Sequence, residues 1–83
     1  MHYVYILKSL KNNEVYVGFS SNLRTRLELH NLGRVKSTKA YKPWKLVYYE
    51  AYKAKEDATR RERELKQHAA KNGLLKHIRN SLA

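Results

Sequence analysis

The sequence predicts an α+β fold: a small three-stranded, mainly antiparallel sheet flanked by helices, in the order β-β-α-β-α-α. Three observations predict it. Residues 3–7 and 15–18 form two short runs of β-branched and aromatic residues, close enough to make a hairpin. A third such run covers residues 45–52, after a segment with helical periodicity. Apolar residues at helical spacing follow, and a sheet with helices after it is typical of a layered α+β domain. We expect residues 1–83 to form a single domain.

The first two strands are predicted to be joined by a two-residue turn. Asn12 and Asn13 lie between them, and asparagine tolerates the positive φ that such a turn requires. This turn would place Tyr5 opposite Ser20. Because side chains alternate between the faces of a strand, Tyr5 and Tyr16 are expected to project from the same face. There they either line a pocket or pack the sheet as half-buried aromatic residues.

Residues 22–32 are predicted to form the first helix. Asn22 offers an N-cap oxygen, and Gly33 is a natural C′ residue. At 100° per residue, His30 lies on the apolar face and Arg26 at its edge, one turn earlier. A snorkelling arginine and a hydrogen-bonded histidine are the structural interpretation of this pair. A polar site that borders the apolar face is the functional one.

Positive charge dominates the solvent side of this region. Arg24 points away from the apolar face and is predicted to pair with Glu28. Residues 34–44 form a loop without an acidic residue, which suits the phosphate backbone of a nucleic acid. The predicted phosphate-binding residues are Arg34, Lys36, Lys39, Lys42 and Lys45.

A long helix is predicted to begin near Lys55 and to end near Ala70. Its inward stripe is predicted to consist of Ala58, Glu62, Leu65 and Ala69. Glu64 lies about 200° away from Glu62, on the solvent side. An inward carboxylate needs a partner, since an unpaired buried charge is costly. Glu62 therefore either pairs with Arg26 or Lys66, or holds a hard divalent cation.

The C-terminal region is predicted to contain one more helix. Asn72 and Gly73 are expected to interrupt the long helix, and residues 74–82 to form a last, shorter one.

The composition restricts the classes of partner. Eighteen Lys and Arg against seven Asp and Glu give a net charge of +11, so nucleic acid is the favoured partner over a merely solubilising surface charge. The absence of cysteine excludes disulfide scaffolds, thiol catalysis and cysteine zinc sites. No apolar run approaches the roughly 18 residues of a membrane span. A cytoplasmic protein without a membrane partner is expected.

Five motifs in order resemble the GIY-YIG nuclease family. The resemblance is to its small single-domain branch, akin to the catalytic module of excinuclease and of intron-homing endonucleases. The motifs are Tyr3-Val4-Tyr5 for GIY, Tyr16-Val17-Gly18 for YIG, residues 22–33 for the first helix, residues 43–50 for the third strand, and residues 58–66 for the helix that carries a metal-binding Glu. Together they cover roughly residues 2–70. Tyr3 stands where GIY has its first glycine, and the family's late polar residue has no clear match, with Asn72 and Asn80 as candidates.

The resemblance implies a metal-dependent endonuclease that hydrolyses DNA phosphodiester bonds, in DNA repair or recombination. It implies catalytic roles for Tyr5, Tyr16, Arg26, His30 and Glu62, with Glu62 holding one Mg²⁺ or Mn²⁺ ion. Low sequence specificity is expected. The DNA form, structured or single-stranded, the use of RNA, the general base and the oligomeric state stay open.

Two other functions share the charge and the fold. A non-catalytic nucleic-acid-binding module of the same fold is the main alternative, although a pure binder has no need of an inward Glu62. A small ribosome-associated basic protein is a third interpretation, and it leaves the inward polar residues unexplained.

Overall fold

The computed structural model describes residues 1–83 and has the predicted α+β architecture. Its sheet has the strand order β2-β1-β3, with the central strand antiparallel to both neighbours. The strands are β1 His2–Ser9, β2 Val15–Ser20 and β3 Trp44–Tyr52. The helices are α1 Leu23–Asn31, α2 Lys55–Leu65, α3 His68–His77 and α4 Arg79–Leu82, with a short 3-10 helix at Lys39–Tyr41. None of the helices has the length and apolar character needed to cross a lipid bilayer.

The predicted hairpin register is wrong by two residues. Tyr5 lies opposite Gly18, not Ser20, because the connection is a loop that is closed by a hydrogen bond from the Ser9 N–H to the Glu14 carbonyl. Asn13 does adopt the left-handed conformation, with φ of 63°. A shift of two residues preserves the face of every side chain, so the predicted common face of the two tyrosines survives the error.

Helix α1 matches its prediction closely. The Asn22 side chain accepts a hydrogen bond from the Thr25 N–H at 3.1 Å, and Gly33 follows the helix with φ of 75°. The predicted ion pair between Arg24 and Glu28 is absent, and both side chains are exposed or half-exposed. An exposed pair on a helix contributes little to stability, so solvation of the two charges competes with it easily.

The chain turns earlier than predicted after α2. This helix ends at Leu65 instead of near Ala70, and α3 runs through Asn72 and Gly73 without a break. Ala69 is consequently exposed, not on an inward stripe. The early turn lets Leu65, Leu74 and Ile78 enter one core, and burying these side chains outweighs local helix propensity.

The sheet separates two apolar clusters. The larger one contains Val4 and Ile6 of β1 and is covered by α2, α3 and α4. The smaller one contains Tyr5, Leu7 and Trp44 and is covered by α1. Alternation along β1 sends successive side chains to opposite clusters. The predicted site residues of β1, β2 and α1 therefore gather on the α1 side of the sheet.

A charged network fastens β3 to α2 on the opposite face. Arg61 binds both carboxylate oxygens of Glu50, at 2.9 and 3.2 Å, and Tyr48 and Tyr52 donate hydroxyl hydrogen bonds to the same group. Burial and the bond to Glu50 raise the pKa of each of these phenols to about 12. Every member has a partner, so this network is a structural contact.

Candidate active site

The site is built around the buried ring of Tyr5. The side chain is 1% exposed and crosses the backbone of Gly18 on the neighbouring strand. A Cβ atom at position 18 would collide with the Cζ and Oη atoms of this ring. Only glycine leaves room for the phenol here, which gives the glycine of the YIG-like motif a steric role.

Two hydrogen bonds fix the imidazole of His30. The Tyr5 Oη and His30 Nε2 atoms are 2.8 Å apart, and His30 Nδ1 lies 2.7 Å from Thr38 Oγ1. The Thr38 hydroxyl donates to the Val35 carbonyl, so its oxygen accepts the proton on Nδ1. This leaves Nε2 without a proton, as the acceptor for the Tyr5 phenol.

Tyr16 forms the outer wall of the cluster. Its ring centroid is 5.1 Å from that of His30, 6.5 Å from that of Tyr5 and 6.2 Å from that of Trp44, with edge or tilted geometry in each case. The Tyr16 side chain is half-buried, whereas Tyr5 and His30 are buried. Of the two phenols, Tyr16 therefore borders the solvent.

Arg26 brings an unsatisfied donor to this cluster. It lies one turn before His30 on α1, and its Nε atom is buried without a hydrogen-bond partner. Burial raises the pKa of the Tyr5 phenol, while the guanidinium of Arg26 opposes that rise. A buried donor without a partner costs free energy, and a planar guanidinium suits an oxyanion such as phosphate. The arrangement can accept an anionic ligand beside the two tyrosines.

Glu62 approaches the cluster from α2. Its side chain is 22% exposed, and Oε2 pairs with Lys66 Nζ at 3.2 Å, one of the two partners predicted for it. The raised pKa of Tyr5 is due first to burial, and the charges of Tyr16 and Glu62 add to it. Glu64 instead is 51% exposed and pairs with Arg61, as expected for the solvent side.

One carboxylate is enough for the kind of metal site that the resemblance implies. No group of three or more His, Cys, Asp or Glu side chains stands together as a protein-only cage. Mg²⁺ keeps several waters and is commonly bound by one or two carboxylates together with substrate phosphates. Glu62 has one oxygen outside its ion pair, and both its charge and that of Arg26 act on the Tyr5 phenol, so the residues present fit such an ion.

His30 is held in its neutral form. Burial, aided by the charge of Arg26, lowers the pKa of His30 to about 4. Between the ordinary histidine pKa of about 6.5 and this value, the unfolded chain takes up a proton that the folded imidazole does not. The free energy of unfolding therefore falls as the pH is lowered through this window.

We expect the stability difference between the wild type and His30→Gln to depend on pH. From pH 7 to pH 5 it should shrink by about 2 kcal/mol, because glutamine does not titrate. Urea unfolding of both proteins at the two pH values measures this. The other three histidines are common to both proteins and cancel in the comparison. Equal pH dependence in the two proteins would mean that the pKa of His30 is the same in the folded and the unfolded chain.

Thr38 is the site residue that the sequence analysis missed. It is fully buried, accepts the His30 proton and lies in a loop noted only for its charge. The Trp44 indole donates to the Thr38 carbonyl at 2.9 Å, and Asn31 holds the Trp44 backbone through both atoms of its amide. A lone threonine in a basic loop carries no local signal of such a role.

The five predicted phosphate-binding residues all reach the solvent. Lys39 follows Thr38 directly and Lys36 precedes it by two residues, so the loop that orients His30 also carries positive charge beside the cluster. Neither candidate for the late polar residue is seen to join the site. Asn72 hydrogen-bonds His68 on α3, and Asn80 is exposed on α4.

Comparisons with known proteins converge on one domain type. The family model of the GIY-YIG catalytic domain matches residues 1–75. The chain is 46% identical to the UPF0213 protein of Staphylococcus haemolyticus over 66 residues, which are 78% of this chain and 79% of that protein. It is 41% identical to a UPF0213 protein of Staphylococcus aureus over the same shares. The solution NMR structure of a UPF0213 protein from Bacillus halodurans matches it with a TM-score of 0.58 at 35% identity, over 90% of this chain and 82% of that one.

Proposed function

This chain belongs to the GIY-YIG family of nuclease-type domains, and we propose that it is a metal-dependent endonuclease that hydrolyses DNA phosphodiester bonds with low sequence specificity. One observation carries the proposal. The buried, unpartnered Nε of Arg26 lies in a cluster with the Tyr5–His30 hydrogen bond, which is the arrangement that a phosphate undergoing attack by water requires. Such an activity would serve DNA repair or recombination.

Arg26 acts on the scissile phosphate. Negative charge grows on the equatorial oxygens as the water attacks, and the guanidinium fork donates to them. Its Nε–H has no competing partner in the fold, so a phosphate that reaches this atom gains a donor without breaking an existing hydrogen bond. Stabilisation of this kind is worth most in a site that is partly shielded from water.

Tyr5, Tyr16 and His30 position the attacking water, and one of these three groups accepts its proton. Because the Tyr5 phenol donates its own proton to His30 Nε2, the lone pairs of its oxygen remain free to accept another hydrogen bond. Thr38 keeps His30 in the tautomer that this requires. Tyr16 borders the solvent and limits the position of the water from the outer side.

Glu62 would hold the divalent cation, Mg²⁺ or Mn²⁺, through its carboxylate. When bound, the cation supplies positive charge that stabilises the leaving 3′ oxygen and lowers the pKa of water. Lys66 neutralises the carboxylate in its absence.

The exposed basic residues bind the DNA backbone. Contacts from lysine and arginine to phosphates position a duplex or a strand but carry no sequence information, which is the reason for the proposed low specificity. We expect the DNA affinity to fall steeply with salt, with a log–log slope of about −0.9 per phosphate neutralised on duplex DNA.

Charge reversal at Lys36, Lys39 and Lys42 should flatten this slope and weaken binding. The matched control reverses Lys53, Lys55 and Arg60, which are exposed after the end of β3 and on α2. Fluorescence anisotropy over a salt series measures both. Equal slopes for the two triple variants would show that the 34–44 loop is not the contact surface.

A non-catalytic binding module of the same fold is the competing function. The ion pair between Glu62 and Lys66 favours it, because a satisfied carboxylate needs no metal. The deciding experiment incubates the purified protein with labelled DNA and RNA of several structures, in Mg²⁺ or Mn²⁺ and in EDTA. We expect metal-dependent cleavage of DNA. Binding without cleavage under every condition would establish the module instead.

A further inference from the structure

A second groove lies on the other flank of α1. It has an open volume of about 510 Å³ between the start of this helix and the edge strand β3. Leu23 and Leu46 are among the leucines of its apolar floor, and Tyr3 and Tyr49 stand at its side. Arg26 is not among its lining residues, so the groove is separate from the candidate active site, although both are built on the α1 side of the sheet.

The two tyrosines present aromatic surface to the solvent. Tyr49 is 53% exposed, and its centroid is 5.9 Å from that of Tyr3 in an edge contact. About half of the Tyr49 side chain therefore stays open to a ligand despite its contact with Tyr3. Tyr3 also stands where the GIY motif has glycine, so an aromatic ring lies where glycine would have no side chain. An exposed aromatic pair over an apolar floor suits a flat, stacking ligand.

The mouth of the groove is positively charged. Arg24 lines it and forms no ion pair, and no acidic residue is among the lining residues. Helix α1 begins there at Leu23, with no acidic residue in its first turn, so the positive end of its dipole is not neutralised. An aromatic wall next to positive charge matches a nucleobase joined to a phosphate.

We propose that this groove binds an unpaired nucleotide of the substrate strand, with the base stacked on the Tyr49 ring beside Tyr3 and the phosphate beside Arg24. The inference rests on the proposed function, because it assigns a substrate class to that activity: DNA with a single-stranded segment next to the cut. Bases in a duplex are stacked on each other and cannot enter, since only an unpaired base exposes its faces to the tyrosines.

The test compares binding of a labelled single-stranded oligonucleotide and a blunt duplex, in EDTA so that no strand is cut. Tyr49→Leu keeps an apolar side chain but removes the ring, and we expect it to weaken single-strand binding by about 5- to 50-fold. Duplex binding should change by less than about twofold. Tyr49→Phe keeps the stacking face and should bind both ligands as the wild type does.

Two further variants complete the design. Arg24→Ala should weaken single-strand binding and lower its salt dependence. Leu32→Ala trims another exposed apolar side chain of the α1 region, outside the groove, and should change neither affinity. The inference is overturned if Tyr49→Leu binds single strands like the wild type, or if it weakens duplex binding equally.

The outcomes separate the two proposals. Single-strand binding that depends on Tyr49, in a protein that never cuts DNA with Mg²⁺ or Mn²⁺, would leave the groove established and the nuclease refuted. Metal-dependent cleavage, together with a single-strand affinity that Tyr49→Leu does not change, would support the nuclease and refute the nucleotide-binding groove.

Discussion

Arg26→Ala is expected to lower the rate of DNA cleavage by about a thousandfold or more at saturating DNA. In the proposed mechanism the Arg26 guanidinium meets the phosphate mainly as negative charge develops, so its loss should raise the barrier far more than it weakens ground-state binding. Arg26→Lys should recover little of the rate, because an ammonium cannot reproduce the planar fork. Single-turnover cleavage and anisotropy binding measure the two effects separately.

Arg60→Ala is the matched control for this experiment. It removes the same charge from the outer side of α2, where the Arg60 side chain is 62% exposed and pairs only with Asp57. We expect a slightly lower DNA affinity and an unchanged rate at saturation. If Arg26→Ala and Arg60→Ala behave alike, with modest losses of affinity and none of rate, Arg26 is not catalytic.

Glu62→Gln is expected to reduce cleavage to a comparable or greater extent while DNA binding persists. The substitution removes the charged oxygen ligand with almost no change of shape, and charge stabilisation by a bound cation is worth several kcal/mol. The second readout is Mn²⁺ affinity measured calorimetrically with DNA that cannot be cut, which should fall in the variant.

Glu64→Gln provides the control for that substitution. Glu64 is two residues away on the same helix, but its exposed carboxylate pairs with Arg61 and faces away from the cluster. Its cleavage rate and Mn²⁺ affinity should stay within about twofold of the wild type, because exposed ion pairs contribute little. Equal losses in the two variants would contradict the assignment of Glu62 to the metal.

The residue pattern correctly predicted which side chains share a face of a strand or helix. It did not predict where the chain turns. The tyrosines of β1 and β2, and His30 with Arg26 on α1, lie together because strand and helix periods are fixed by backbone geometry. The hairpin register depended on how Ser9 caps the loop. Its hydroxyl accepts the N–H groups of residues 11 and 12, a contact that the Asn12-Asn13 pair does not reveal.

The turn between the C-terminal helices was also not predictable from the local sequence. The sequence from Lys66 to His68 has no strong helix breaker, and the turn there is imposed by tertiary packing of Leu65 against Leu74. Gly73 looked like a break, yet it is exposed within α3 with free space around it, where glycine costs only about 1 kcal/mol. The local sequence therefore gave the wrong positions for the end of α2 and the start of α3.

A residue that contributes to the site only by orienting another residue could not be identified from the sequence. Tyr5, His30 and Glu62 stood out because polar groups on inward faces need partners. Thr38 has no such mark, since a threonine in a basic loop is ordinary until the fold brings it 2.7 Å from His30. The Glu62–Lys66 pair was predicted only as one alternative, because both partners lie within reach on the same helix.

We propose above all that the cluster of Tyr5, Arg26, His30 and Glu62 cleaves DNA. The most direct measurement compares the wild type with the double variant Arg26→Ala, Glu62→Gln, purified side by side and incubated with the same labelled DNA in Mg²⁺ or Mn²⁺. We expect cleavage by the wild type alone, abolished by EDTA, with DNA bound by both proteins. Equal cleavage rates in the two preparations, or no cleavage by a wild type that binds DNA, would contradict it.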